Sequence, residues 1–279
     1  MWEKVLQHLK EKDFELYGPE SFQDYLAKNH IPKKNTAASI SIDSYEKLAR
    51  SLREKDCMVL RLGSSERGTG TQFVIVKAKN HLQDFFLMDE DVFTISEPEL
   101  FVPTQNLNTL KGYRIMPVLS ETSLVNLALT SGLLSHALEF DSKQVPGAPT
   151  TGKSTFSFRF QPHSKISKIV EHRNGQVEID ALFVEQRKGK DTLFIIEAKS
   201  DLQHRSLAKH KLLYPVLSVT ENVSEEVVIV PIYMKIIKRK EAYLYHIVEC
   251  EMPDLRRTTI SIDEIRPKRH HYMELKLFA

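Results

Sequence analysis

The stretch VEIDALFVEQRKGKDTLFIIEAKS, Val177–Ser200, decides the fold. Two apolar runs flank the polar turn Gln186–Asp191, in which Gly189 can relieve backbone strain. This pattern predicts a β-hairpin. If Glu185 pairs with Thr192 across the turn, the register of every other residue pair in the hairpin follows.

That register brings three charged side chains together. It sets Asp180 opposite Glu197, and opposed residues have Cβ atoms about 5 Å apart. Because side chains alternate along a strand, Glu197 and Lys199 share one face and Ala198 points away. Paired carboxylates of this kind suit Mg²⁺, which also binds phosphate oxygens and lowers the pKa of a bound water. A neighbouring lysine can stabilise negative charge in the transition state. The trio therefore indicates phosphodiester hydrolysis.

An ordinary ion pair on a solvated sheet face is the alternative interpretation of these residues. The tripeptide E-A-K occurs by chance in many proteins. Its context favours chemistry, because the apolar run Leu193–Ile196 directly precedes Glu197. Asp and Glu are also poor strand formers, and functional sites are where local propensity is expected to fail.

The surrounding segments predict the fold class. Ser120 can cap an apolar helix, and Thr155–Phe160 alternates like a half-buried strand. A helix at about Gln203–Val216 and a strand at Val227–Ile237 follow the hairpin. The order helix, three strands, helix, strand predicts an α/β fold with a central mixed β-sheet flanked by helices. Residues 1–115 mix helix and strand signals, which predicts an α+β N-terminal region ahead of a second unit at 116–279.

A family resemblance covers roughly the second half of the chain. IDALFV, TLFIIEAKS and a following helix with KLLYP resemble the PD-(D/E)XK nuclease superfamily, which includes most type II restriction endonucleases. The resemblance implies a restriction-endonuclease-like core in residues 116–279. It implies that Asp180 and Glu197 are metal ligands, that the Ala198 carbonyl is a third ligand, and that Lys199 is the catalytic lysine.

The resemblance also identifies supporting residues. Many members add an acid from the helix before the first core strand, and Glu121 matches it better than Glu139. Glu178 would support the site. Lys211 stands where many relatives carry a glutamine, which departs from those subfamilies, although a lysine there could contact the scissile phosphate or support Lys199.

These residues predict a Mg²⁺-dependent type II restriction endonuclease that cuts a short site in double-stranded DNA. A palindromic site would call for a homodimer. The N-terminal region would help to grip or read DNA. Arg67 and Arg239 are candidate base-reading residues, with surface charge as the alternative interpretation, and Lys153 is a candidate phosphate contact. Two other functions stay open: a repair, recombination or defence nuclease of the same fold, and a catalytically silent DNA-binding module.

Composition narrows the choice of function classes. The 279 residues carry a net charge of +2, which neither demands nor excludes nucleic acid. The charged N-terminus does not resemble a signal peptide, and no apolar run is long enough to cross a bilayer, so we expect a cytoplasmic protein without a membrane partner. Cys57 and Cys250 lie outside any CxxC or Cys/His cluster, which argues against a disulfide framework or a zinc site.

A second motif competes with the acidic hairpin. Gly147–Ser154 matches the P-loop pattern G-x-x-x-x-G-K-[ST] letter for letter. A working P-loop follows a buried strand and opens a helix, whereas this segment follows a helical pattern and precedes a strand. Pro149 also removes an amide donor. We interpret the match as chance.

Overall fold

The structure is a computed structural model that describes residues 1–11, 15–65, 70–103, 105, 108–142, 144–200, 203–240, 242–254, 256 and 259–276. Its α-helices are α1 (Glu3–Glu11), α2 (Phe22–Lys28), α3 (Thr36–Ile40), α4 (Arg50–Arg53), α5 (Asp89–Val92), α6 (Lys111–Ile115), α7 (Glu121–Thr130), α8 (Leu133–Ala137) and α9 (His210–Thr220). Its strands are β1 (Leu16–Ser21), β2 (Cys57–Ser64), β3 (Thr71–Lys77), β4 (Phe86–Met88), β5 (Glu99–Phe101), β6 (Thr150–Phe160), β7 (Val170–Arg187), β8 (Lys190–Lys199), β9 (Ser206–Ala208), β10 (Val228–Lys238), β11 (Ala242–Glu251) and β12 (Arg266–Lys276).

One mixed sheet dominates the described part of the chain. Its strand order is β1-β3-β2-β7-β8-β10-β11-β12-β5, and β6 pairs with β7 beside this path. The pairs β2–β7, β8–β10 and β12–β5 are parallel, and the other pairs of the sheet are antiparallel. Strands β4 and β9 form a separate two-stranded sheet.

Strand β8 separates two apolar layers because its side chains alternate between the faces of the sheet. Phe194 and Ile196 belong to a core that includes residues of α7 and α8. Leu193 and Ile195 pack with Val216 of α9 on the other face. Helices therefore cover both faces, and the predicted mixed sheet flanked by helices is confirmed as a mixed α/β fold.

The N-terminal region and the rest of the chain share this sheet. They meet at the β12–β5 pair and at a parallel bridge between Gly63 of β2 and Arg173 of β7. Gly63 has a φ of +78°, and a Cβ there would lie 2.4 Å from the Arg173 carbonyl oxygen, so the close approach of the strands requires glycine. The division at residue 115 stays a prediction.

Two local expectations are resolved by the structure. The predicted helix at Gln203–Val216 is wrong in its first part, because Ser206–Ala208 forms β9 and the helix begins at His210. The P-loop pattern lies partly in a strand, since β6 begins at Thr150, and no helix follows the pattern's lysine among these residues. None of the helices described is both long and apolar enough to span a bilayer.

Candidate active site

The hairpin of β7 and β8 forms with the predicted register. Glu185 pairs with Thr192, and the ladder continues to Ala181 opposite Ile196. The next residues along the two strands are Asp180 and Glu197. Here the Asp180 side chain enters the gap between the strands, and its Oδ2 accepts the Ala198 backbone N–H at 2.9 Å. The hairpin therefore fixes the Asp180 carboxylate directly beside the end of β8.

Two lysines meet at the buried carboxylate of Glu197. Glu197 is only 3% exposed. Its Oε1 accepts a hydrogen bond from Lys199 Nζ at 2.7 Å and lies 3.3 Å from Lys211 Nζ. Lys199 Nζ also donates to the Ala198 carbonyl oxygen at 2.9 Å. The two cations make it possible to bury the glutamate, because a buried carboxylate without a charged partner is costly.

A third acid reaches the site from α7. Ser120 caps this helix as predicted, since its side chain accepts the Ser123 N–H at 3.2 Å. Glu121, the first residue of α7, then accepts the Ser200 N–H at 2.9 Å, and its second oxygen lies 3.9 Å from Lys199 Nζ. Glu139 lies elsewhere, 2.9 Å from Arg269. Glu139 also lies near Lys188 in the turn of the hairpin, at 3.3 Å, so the structure brings Glu121, and not Glu139, to the acidic site.

The pKa values reflect this crowding of charge. Burial, and next the negative charge of Glu197, raise the pKa of Asp180 to about 6. Burial acts to lower the pKa of Lys199, but Glu197 and Glu121 outweigh it and raise that pKa above its usual value. Asp180 therefore lies in a negative environment that its N–H partner and Lys199 only partly compensate.

The oxygen donors of the site fit a hard divalent cation that takes only a few of its ligands from the protein. Among the residues described, no group of three or more His, Cys, Asp or Glu side chains is arranged to hold a metal ion. Mg²⁺ does not need such a cage, because it is commonly bound by one or two carboxylates together with waters and substrate phosphates. Asp180 and Glu197 supply two carboxylates, and the carbonyl oxygen of Ala198, the residue after Glu197, is a third oxygen beside them. These oxygens agree with the chemistry of that ion.

The acidic site opens into a cleft of about 410 Å³. The N-terminal region, β6, β7, β8 and α9 contribute its walls. The residues that line it are Ala37, Ser41, Asp43, Arg61, Glu121, Lys153, His172, Gln176, Val177, Glu178, Asp180, Glu197, Lys199, His210, Lys211, Tyr214 and Pro215. The cleft therefore joins the two sequence regions at one surface that a substrate could enter.

The four predicted DNA contacts fall in different places. Lys211 and Lys153 line the cleft, and Lys153 Nζ lies 3.9 Å from Glu178. Arg239 is exposed in the turn between β10 and β11 and does not line the cleft. Arg67 lies outside the described residues.

The cleft residues that sequence reasoning missed include Arg61, His172 and His210. One signal for Arg61 was available, because it is a charged residue inside the otherwise apolar strand CMVLRLGS. Nothing in the local sequence identifies the two histidines, because His172 of β7 and His210 of α9 meet at the cleft only through the packing of these elements.

Fold and site together define a mixed α/β protein with an acid–lysine cluster at the C-terminal end of β8, an interior strand of its main sheet. Residues 91–271 match the family DUF6997, whose description is a domain of unknown function. The chain belongs to this family. No curated protein and no solved structure matches it.

Proposed function

We propose that this protein is a Mg²⁺-dependent DNA endonuclease with a PD-(D/E)XK-type active site. The observation that carries the proposal is the convergence of Asp180, Glu197 and Lys199 on one hairpin, with Lys199 Nζ 2.7 Å from Glu197. Two carboxylates, a backbone carbonyl and a lysine form the donor set that metal-assisted phosphodiester hydrolysis requires. The resemblance of these segments to that superfamily supports the same conclusion.

Each residue has a distinct role in the proposed reaction. Asp180, Glu197 and the Ala198 carbonyl would hold Mg²⁺, which supplies electrophilic assistance at the phosphodiester when bound. Lys199 would orient the attacking water and stabilise the negative charge that develops on the phosphate oxygens in the transition state. Glu121 would keep Lys199 charged and in place, since its carboxylate lies 3.9 Å from the ammonium.

The arrangement of elements around the site supports a restriction-endonuclease-like core. Helix α7 precedes the antiparallel strands β6, β7 and β8, and α9 leads from β8 towards β10. Strand β10 then pairs in parallel with β8. This agrees with the helix–strand–strand–strand–helix–strand order that the resemblance implies, apart from the short α8 and β9.

Within this class, we propose a cytoplasmic type II restriction endonuclease that acts as a homodimer on a short site in duplex DNA. The contribution of the N-terminal region to the cleft favours a dedicated substrate-binding role for it. A structure-specific repair or defence nuclease is the first alternative. A silent DNA-binding module is the second.

One assay separates these functions. Supercoiled plasmid is incubated with the protein in Mg²⁺ and, in parallel, in EDTA. Discrete fragments in Mg²⁺ alone support restriction, and a smear supports a general nuclease. Retained DNA binding without cleavage in Mg²⁺ favours the silent module and contradicts the proposed catalysis. The Asp180→Ala protein, purified in the same way, controls for a contaminating nuclease.

A further inference from the structure

Arg61 is a cleft residue that the catalytic arrangement does not use. It lies in the interior of β2, which the bridge at Gly63 aligns with β7. Its Nη1 donates to Ser41 Oγ at 3.3 Å, and its carbonyl oxygen accepts the Tyr214 hydroxyl at 3.2 Å. The second contact ties β2 to α9, which also carries Lys211. Arg61 is thus held at the cleft from two sides.

Arg61 differs from the other cations of the cleft because it lacks a carboxylate partner. Lys199 and Lys211 both contact Glu197, and Lys153 lies near Glu178. Within the described part of the chain, no Asp or Glu oxygen lies within ion-pair distance of the Arg61 guanidinium. Its Nε is also buried without a hydrogen-bond partner. A partly buried guanidinium whose hydrogen bonds go to one neutral hydroxyl is poorly compensated.

The neighbours of Arg61 do not compete for a bound anion. Asp43, an acid that lines the cleft with Arg61, is already engaged by Lys47 at 2.8 Å. His172 and His210 line the same end of the cleft, and the Nδ1 of each is buried without a partner. Burial, and next the charge of Arg61, lower the pKa of His172 to about 4. Burial and then Lys211 lower the pKa of His210 to about 3. Both imidazoles are therefore neutral at physiological pH.

We propose that Arg61 forms an anion subsite that binds a second phosphate group of the substrate strand, beside the phosphate that is cleaved. A guanidinium presents parallel N–H donors that match a phosphate better than an ammonium does. The subsite shares the 410 Å³ cleft with the acids, so the two phosphates belong to one bound strand. The identification of that strand as nucleic acid rests on the proposed function. The phosphate is either an internal phosphodiester or a terminal phosphomonoester.

Inorganic phosphate tests the subsite without any assumption about catalysis. The melting temperature is measured in EDTA, in phosphate and in chloride at equal ionic strength, because a ligand that binds the folded state raises it. We expect phosphate to raise the melting temperature of wild type and of Arg50→Gln, a matched change at an exposed arginine of α4 that pairs with Glu54. Arg61→Gln should abolish the shift. No shift in wild type, or an equal shift in Arg61→Gln, would overturn the proposal.

Duplex binding in EDTA then identifies the source of the phosphate. Fluorescence anisotropy compares short duplexes with 5′-phosphate and 5′-hydroxyl ends. Arg61→Gln should weaken binding about tenfold. Arg61→Lys keeps the charge but loses the parallel N–H donors, and it should weaken binding about threefold. A 5′-phosphate dependence that disappears in Arg61→Gln assigns the subsite to strand ends, and an equal loss on both duplexes assigns it to an internal phosphate. If Arg61→Gln does not fold, Arg61→Lys serves as the test. The proposal would be overturned if Arg61→Lys bound duplex as tightly as wild type and showed the same phosphate-induced rise in melting temperature.

Failure of the two proposals is distinguishable. A phosphate shift that depends on Arg61, in a protein that does not cut plasmid in Mg²⁺, would retain the subsite and reject the nuclease. Plasmid cleavage with no effect of Arg61 on phosphate or duplex binding would reject the subsite and retain the nuclease.

Discussion

Strand β7 connects two clusters of buried charge that differ in how completely they are neutralised. In the interior of the strand, Asp180 meets Glu197 and Lys199. At the C-terminal end of the strand, Arg187 binds Glu249 through two guanidinium nitrogens, at 2.6 and 3.0 Å, and Arg269 and His271 lie beside them. We call this second group, Arg187, Glu249, Arg269 and His271, the Glu249 cluster. Glu197 and Glu249 are each 3% exposed, so burial alone does not distinguish the clusters.

The pKa values of the acids do distinguish them. Burial acts to raise the pKa of Glu249, but His271 and Arg187 outweigh it and lower that pKa to about 2. The pKa of Asp180 is instead raised to about 6 by burial and Glu197. The Glu249 cluster is compensated as a structural ion pair should be. The Asp180 site leaves its acids under repulsion, which is typical of functional sites.

The largest expected effect is the loss of activity in Lys199→Ala. We expect cleavage to fall at least about 10³-fold, the loss seen when a transition-state donor is removed, and Asp180→Ala to behave alike. The fold should persist, because Lys211 still neutralises Glu197 from 3.3 Å. Plasmid cleavage in Mg²⁺ and circular dichroism measure the two effects. A fully active Lys199→Ala protein would refute the catalytic assignment.

The Glu249 cluster should give the opposite result. Glu249→Gln removes the carboxylate that binds Arg187 most closely and leaves it with Glu139 at 3.8 Å, and we expect the free energy of unfolding to fall by about 3 kcal/mol. Cleavage below the melting temperature should be retained. Glu171→Gln is the matched control, because Glu171 is a partly exposed residue of β7 whose ion pair with Arg173 contributes at most about 1 kcal/mol. Equal stability of the two variants, measured by urea unfolding, would contradict this comparison.

The pH dependence of stability should also differ between the clusters. Asp180 has a pKa that is raised on folding, so its unfavourable effect appears as the pH rises through about 4 to 6. Asp180→Asn, measured in EDTA, should therefore stabilise the protein on the order of 2 kcal/mol at pH 8 and have little effect at pH 4. The contribution of Glu249 is present above pH 4.5 and is lost as the pH falls towards 2. A stabilisation by Asp180→Asn that is the same at both pH values would contradict the repulsion.

Removal of the third acid should have a smaller effect. Glu121→Gln keeps an acceptor for the Ser200 N–H but loses the charge that lies 3.9 Å from Lys199. We expect cleavage to fall about tenfold, one order of magnitude for roughly 1.4 kcal/mol of lost stabilisation. Glu139→Gln, near Arg269 and outside the cleft, is the control and should cut normally. Equal rates for the two variants would remove Glu121 from the site.

The smallest effect is expected from Lys153→Gln. Lys153 is exposed on β6 at the mouth of the cleft, so a phosphate contact there would be solvent-screened. We expect duplex binding in EDTA to weaken about threefold at low salt and the salt dependence to decrease by about one counterion. If Lys153→Gln weakened duplex binding as much as Arg61→Gln does, Lys153 and Arg61 would contribute equally to binding. That result would contradict the distinction drawn from their carboxylate partners.

The hairpin could be predicted from the sequence because residues within the hairpin itself determine its register. The turn length, the alternation and the position of Gly189 set Glu185 opposite Thr192, and the structure confirms that register. Asp180, Glu197, Lys199 and their neighbour Ala198 follow from it without further knowledge of the fold. The cap at Ser120 is similarly local.

Long-range pairing explains what the sequence did not reveal. Strand β9 was predicted as helix, and it is a strand because it pairs with β4, whose residues lie more than a hundred positions earlier in the chain. Strand β12 (Arg266–Lys276) likewise depends on its pairing with β11. The arrival of Arg61 at the cleft depends on the bridge between β2 and β7, which local periodicity does not encode.

The glycine at that bridge has a consequence for how the molecule tolerates change. Any side chain at Gly63 would collide with the backbone at Arg173 and Gly175, so β2 would have to move away from β7. Arg61, two residues earlier on β2, would move with it. A substitution that touches no ligand and no charged group would then alter substrate affinity, and its phenotype would be mistaken for a defect in chemistry.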